Sequence, residues 1–203
     1  FPSLGPENYF YFNNDVFPLS EKEIFVDMGA FDGDSITAFV QACRNRGVNY
    51  EHIYAFEPDP RNYDALLRTT GHMQKISYHK LGLWSHRKVL RFESSDKAFT
   101  TTASGVHENG DIEIEVVGLD EFLQGEKVTL IKMDPPGDIL RDALQGAAET
   151  ITRHKPKLVL NAYNKLEDIF EVPLLVNRRW PDYRLYLRHI SWTICETDLF
   201  AVA

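Results

Sequence analysis

Short apolar runs alternate with stretches whose apolar residues recur every three or four positions, and this alternation dominates the chain. "EIFVDM" (23–28) predicts a first strand, followed by a glycine turn and a helix from about 34 to 46. "HIYAFE" (52–57) predicts a second strand; after "PDPRN" a helix runs to about Arg68, with Pro60 in its first turn. "KISYHKLGL" (75–83) reads as a third strand, "VTLIKMD" (128–134) as a fourth and "PKLVLNAY" (156–163) as a fifth. Between the last two, one helix is predicted from about 138 to 154, because Ile139, Leu140, Ala143, Leu144, Ala147, Ala148 and Ile151 share a face. A short helix near 167–176 and two final strands, "YRLYLRH" and "ETDLFAVA", close the chain as an apparent hairpin. The pattern predicts α/β architecture around a mostly parallel sheet with helices on both faces.

The middle departs from this rhythm. "VLRFES" (89–94) and "DIEIEVVGL" (111–119) alternate with period two around the polar "SSDKAFTTTASGVHENG". They predict an inserted β-hairpin and loop around 89–118, of the kind that often contacts substrate. Residues 1–22, aromatic and rich in turn formers, read as an arm that packs on the domain or leads into it, and 23–203 as the domain itself. A chain opening on Phe1 is expected to be trimmed or cut from a longer protein.

Composition narrows the function. The 203 residues are 43% hydrophobic and 26% charged, which suits one globular domain. A net charge of −8 argues against a nucleic-acid footprint. Arg178, Arg179, Arg184 and Arg188 gather near the end, interrupted by tryptophan, proline and tyrosine, and read as a solvated or substrate-facing edge. Cys43 and Cys195 lack a partner motif and fit reduced thiols, so a cytoplasmic location is expected. No apolar run nears the ~20 residues of a membrane span, and no signal peptide is visible.

The candidate chemistry starts at "FVDMGAFDGDS" (25–35), a glycine turn between strand and helix. Such a turn at the carboxyl edge of a parallel sheet is a usual cofactor seat. Its G-x-x-x-G spacing is not that of a dinucleotide site, and Asp27, Asp32 and Asp34 would repel a pyrophosphate. S-adenosylmethionine, with a sulfonium, an ammonium and no phosphate, suits it better. Glu57, at the end of the next strand with Pro58 and Pro60 fixing the turn around it, suits a ribose diol. Read as structure alone, Asp27 and Glu57 would cap helices or line a polar rim.

Taken with "AFEPDP", "LGLW", "GLDEFL", "IKMD" and "LQGAAETI", this loop resembles the FkbM-like methyltransferases, a family of S-adenosylmethionine-dependent O-methyltransferases. The likeness runs from Glu23 nearly to the end, including "EVPLLV" and "YLRH". It implies a Rossmann-like class I sheet of seven strands with the last antiparallel, and methyl transfer to a hydroxyl of a sugar or small natural product. It implies that Asp27, Gly29, Ala30, Phe31 and Asp32 line the methionine end of the cofactor, that Glu57 holds the ribose with Pro58 and Asp59 beside it, and that Gly82, Leu83 and Trp84 lie near the adenine. Trp84 reads equally as plain core.

Two positions depart from the family. After the fourth strand the family has Asp, an aliphatic residue, Glu and Gly; here the run is Asp134, Pro135, Pro136, Gly137. Where the family often has Tyr-His-Lys, this chain has Tyr163, Asn164, Lys165. Asp134 is then the leading catalytic carboxylate, with Lys132 on the same strand face as an orienting or pairing group. Tyr163, Asn164 and the 95–110 loop are candidate substrate contacts, and His79 or His107 would serve as base if the insert folded over the crevice. Asp-Pro-Pro also resembles the start of an amino-group methyltransferase motif, though its aromatic residue is replaced by Gly137, so methylation of a small amine stays open. A module that binds cofactor or partner without turnover is the third reading. The cysteines and histidines lack zinc-ligand spacing, and magnesium at Asp134 would need further oxygen ligands.

Overall fold

The computed structural model describes residues 11–12, 16, 19–93, 105–106, 112–135, 138–189 and 197–203. Its central sheet has seven strands, in chain order β1 (Lys22–Met28), β2 (Asn49–Phe56), β3 (Ile76–His79), β8 (Leu130–Met133), β9 (Lys157–Asn161), β10 (Arg184–His189) and β11 (Thr197–Val202). Across the sheet they lie in the order β10-β11-β9-β8-β1-β2-β3. β1 is parallel to both β2 and β8, and the last strand, β11, is antiparallel to β9 and β10. The strand order reverses between β1 and β8. Their carboxyl ends therefore splay open a crevice, the place where open α/β sheets hold ligands.

Both faces are covered, which is why strands such as "FVDM" and "LIKM" are apolar nearly throughout. On one face α1 (Asp34–Arg46) and α2 (Pro60–Thr70) pack with Phe25, Phe39 and Leu66. On the other, α4 (Ile139–Gly146), α5 (Ala148–His154) and α6 (Asp168–Arg179) pack with Met28, Phe56 and Leu144. The start of α2 has a local cause: Pro60 occupies the first turn, and the Asp59 side chain caps the amides of Arg61 and Asn62.

The middle of the chain forms a second sheet, ordered β4-β7-β5-β6, from β4 (Gly82–Trp84), β5 (Lys88–Glu93), β6 (Gly105–Val106) and β7 (Ile112–Gly118). α3 (Leu119–Leu123) leads back to β8. Two sequence expectations change here. The single third strand is two, because its second half leaves β2 to pair in parallel with β7. The single helix expected over 138–154 is also two, broken at Gly146–Ala147, where the chain passes against Trp84.

Candidate functional site

The turn leaving β1 is built around three positive φ angles: Gly29 (+76°), Phe31 (+47°) and Gly33 (+89°). The amides of Gly29 and Ala30 both donate to the Phe56 carbonyl at 3.1 Å, hanging the turn from the end of β2. A Cβ on Gly29 would come within 2.7 Å of the Asp134 carbonyl oxygen. The glycine therefore lets the turn close against the exit of β8.

Glu57 joins the turn to the β2 exit. It accepts the amides of Phe31 and Asp59, each at 2.9 Å, and is 5% exposed. Burial pushes its carboxyl up to about 7, against the lowering effect of those two amides. Phe31 lies exposed beside it. Pro58 adjoins Gly82, whose absent Cβ would sit 3.7 Å from the proline ring. Leu83 is buried, and Trp84 is half-buried with the Lys88 ammonium 4.4 Å from its ring.

Beneath the turn lies a charged cluster set by strand register. Asp27 of β1 stands opposite Lys132 of β8. Asp27 is fully buried, accepts the Ser35 hydroxyl, and holds the Lys132 ammonium at 3.3 Å. Burial raises the Asp27 pKa, and Lys132 and Ser35 offset this only in part. Asp34 is also raised, first by burial. Burial alone would depress Lys132, but Asp27, Asp134 and Asp34 hold its pKa above the ordinary value.

Asp134 closes the site on the β8 side. Its Oδ1 accepts the Tyr163 hydroxyl at 2.8 Å, and its Oδ2 lies 3.9 Å from Lys132. The next carbonyl, that of Pro135, accepts the side-chain amides of Asn161 and Asn164, both at 2.9 Å. Arg141 then ties α4 to α6 through Asp168 (3.2 Å) and Glu171 (2.5 Å), and pairs with Asp138 at the start of its own helix (2.8 Å).

The structure thus brings Asp27, Gly29, Phe31, Glu57, Lys132, Asp134 and Tyr163 to one edge, with Asn164 bracing the loop beside them. His79 instead packs against the rings of Phe56 (5.0 Å, tilted) and Phe122 (4.7 Å, edge-on), and burial lowers its pKa. Ser35, Asn161 and Arg141 were not anticipated; Asn161 lies in "NAY" two residues before Tyr163, but nothing in the sequence marks its contact. His107, Pro136, Gly137, Cys195 and all of the 95–110 loop except 105–106 fall outside the described residues. Among those described, no cluster of three or more His, Cys, Asp or Glu side chains is arranged to hold a metal, and no helix is long and apolar enough to cross a membrane.

The donor set fits a nucleoside with a cationic tail: a buried carboxylate at the β2 exit, acidic groups along the turn, and a nearby ammonium already held by Asp27. Comparison with known proteins points the same way. The Methyltransferase FkbM domain profile matches residues 27–189. Among solved structures, the methyltransferase FkbM of Methylobacillus flagellatus KT is 27% identical with a TM-score of 0.77; the match covers 97% of this chain and 48% of that one. The present chain therefore spans about half that protein's length. The fold is shared by Aeropyrum pernix fibrillarin with natively bound S-adenosyl-L-methionine (10% identity, TM-score 0.54, covering 97% of this chain and 73% of that one). It is shared too by an rRNA methylase from Streptococcus thermophilus (12% identity, TM-score 0.52, covering 90% and 86%). No curated protein matches the sequence.

Proposed function

The chain belongs to the FkbM methyltransferase family, and from that premise we propose that it methylates a hydroxyl oxygen of a sugar or small natural product, with S-adenosylmethionine as methyl donor. The observation that carries the reading is the Asp134 carboxylate. It is partly exposed at the β8 exit, beside the Gly29 turn, with Tyr163 on one oxygen and Lys132 near the other.

S-adenosylmethionine supplies an electrophilic methyl carbon when bound. The residues suited to hold it are Glu57 for the ribose hydroxyls, and Phe31, Asp32 and the 29–31 backbone for the methionine end. An acceptor hydroxyl must lose its proton as its oxygen is alkylated, and Asp134 is suited to accept that proton. Tyr163 and Lys132 fix the rotation of the carboxylate, so proximity does part of the work. The net charge of −8 favours a small-molecule or glycan acceptor over nucleic acid.

Methylation of an amine gains no support. In an Asp-Pro-Pro site the carbonyl after the first proline would receive the substrate N–H, and here Asn161 and Asn164 already occupy it. The test is transfer of labelled methyl from S-adenosylmethionine to a panel of hydroxylated glycosides and aglycones. The expected result is label on oxygen, with Asp134→Asn slower by roughly 10²–10⁴-fold while S-adenosylhomocysteine affinity is kept. Label on nitrogen would move the reaction to amines. Tight cofactor binding without transfer to any acceptor would make the domain a binding module.

A further inference from the structure

Tyr11 and Phe12 lie ahead of β1, the first described element, yet they are only 6% and 0% exposed. For Phe12 the cause is ordinary packing: its ring meets Phe25 at 5.4 Å and Phe39 at 5.3 Å, both edge-on. That packing seats Phe12 between β1 and α1. Tyr11 has a different neighbour. The Lys132 ammonium lies 5.6 Å from its ring centroid, within the range where a ring face attracts a cation.

Lys132 is itself 4% exposed, and its ammonium also touches Asp27 and Asp134. A buried ammonium needs its remaining directions filled by groups that compensate for lost water. Tyr11 fills one of them. Contacts then run without a gap from Tyr11 to Lys132, from Lys132 to Asp134, and from Asp134 to Tyr163. An aromatic residue kept only for volume would gain as much from facing hydrocarbon; this one faces the charge behind the reactive carboxylate.

We propose that Tyr11 is a positioning residue of the methyl-transfer site, backing the Lys132 ammonium so that it stays on Asp27 and Asp134 and orients the Asp134 carboxylate toward the acceptor. The inference rests on the reading of Asp134 above, and it brings a residue ahead of β1 into the working site.

The test compares the full chain with Tyr11→Phe and Tyr11→Leu. It reads the side-chain Cε proton shifts of Lys132 by NMR, the thermal midpoint, S-adenosylhomocysteine affinity, and transfer to an acceptor found in the glycoside panel. In Tyr11→Leu the upfield ring-current shift of Lys132 should vanish, and kcat should fall by up to roughly thirtyfold, the loss expected for one desolvated cation–π contact. Cofactor affinity should stay within about threefold, since Tyr11 acts through the β8 side. Tyr11→Phe keeps the ring face and should retain both the shift and most of the rate. If Tyr11→Leu melts below the assay temperature, Tyr11→Met offers a flexible side chain of similar bulk without a ring. Unchanged Lys132 shifts or unchanged kcat in the ringless variants would overturn the inference, as would an equal loss in Tyr11→Phe. Failure of the parent chain to methylate any acceptor would instead overturn the functional reading, and the Lys132 shifts would still decide whether Tyr11 backs it.

Discussion

Phe31 sits where an aromatic side chain is poorly accommodated. Its φ is +47°, it is 39% exposed, and its amide is spent on Glu57. Left-handed backbone costs an L-residue about 1–2 kcal/mol, and residues kept in it despite the strain cluster at ligand sites. Phe31→Gly should therefore raise stability by about 1 kcal/mol in urea unfolding while weakening S-adenosylhomocysteine binding in calorimetric titration. Unchanged affinity would remove Phe31 from the cofactor wall. The acidic turn and Glu57 were legible because sign of charge and residue type are sequence properties. The partnership of Asp27 with Lys132 was not: it joins residues 105 positions apart and depends on how β1 registers against β8. Periodicity placed Lys132 on the face of Asp134 but said nothing of the strand next door. Tyr11 was hidden for the same reason, since an arm without periodicity carries no signal of what it covers.

Elements were legible where the pattern was local and were missed where a tertiary contact intervened. The apolar positions of 138–154 keep helical spacing across the break because α4 and α5 bury the same side. The break falls beside Gly146, where a Cβ would stand 2.0 Å from the Trp84 carbonyl oxygen and 3.0 Å from the Cα atoms of Gly118 and Ser85. Backbone on three sides cannot be relieved by a rotamer change. Gly146→Ala should destabilise by roughly 3 kcal/mol, lowering the thermal midpoint by about 6–12 °C in a chain of this size. Gly47→Ala is the contrast: its φ is +65° but its Cβ would meet open space, so only the left-handed penalty of about 1 kcal/mol applies. Equal losses in the two would mean that α4 is not held against β4 in this way. The same contact explains the split third strand, since Gly82–Trp84 belongs to the sheet that α4 packs against.

At the scale of the molecule, the carboxyl edge collects buried acids that folding alone does not favour. Glu57 rises from its ordinary 4.5 to about 7, chiefly by burial, with Asp59 adding repulsion and the Phe31 and Asp59 amides and the Asn62 side chain offsetting part. Because the folded chain holds this proton more tightly than the unfolded one, the stabilising contribution is fully present below about pH 4.5 and is lost as pH rises through 7. The full shift corresponds to about 3 kcal/mol. His52 and His79, whose pKa values burial lowers, act in the opposite sense, their contribution being lost as pH falls below the ordinary 6.5. A single melting curve mixes these effects, but comparison with Glu57→Gln cancels the histidines. Measured by urea unfolding from pH 4 to pH 8, the stability difference should move toward the variant by about 3 kcal/mol, nearly all of it between pH 4.5 and 7.5. With Glu57 holding the ribose as proposed, cofactor binding should reverse the preference, because ribose hydroxyls donate to an ionised carboxylate. S-adenosylhomocysteine affinity for the parent should therefore fall by up to about tenfold per pH unit below 7, while the variant binds weakly and without that dependence. A pH-independent stability difference would mean that Glu57 is solvated in the free protein. The edge would then be an ordinary acidic rim, and the case for a carboxylate held in readiness for a nucleoside would lose its energetic basis.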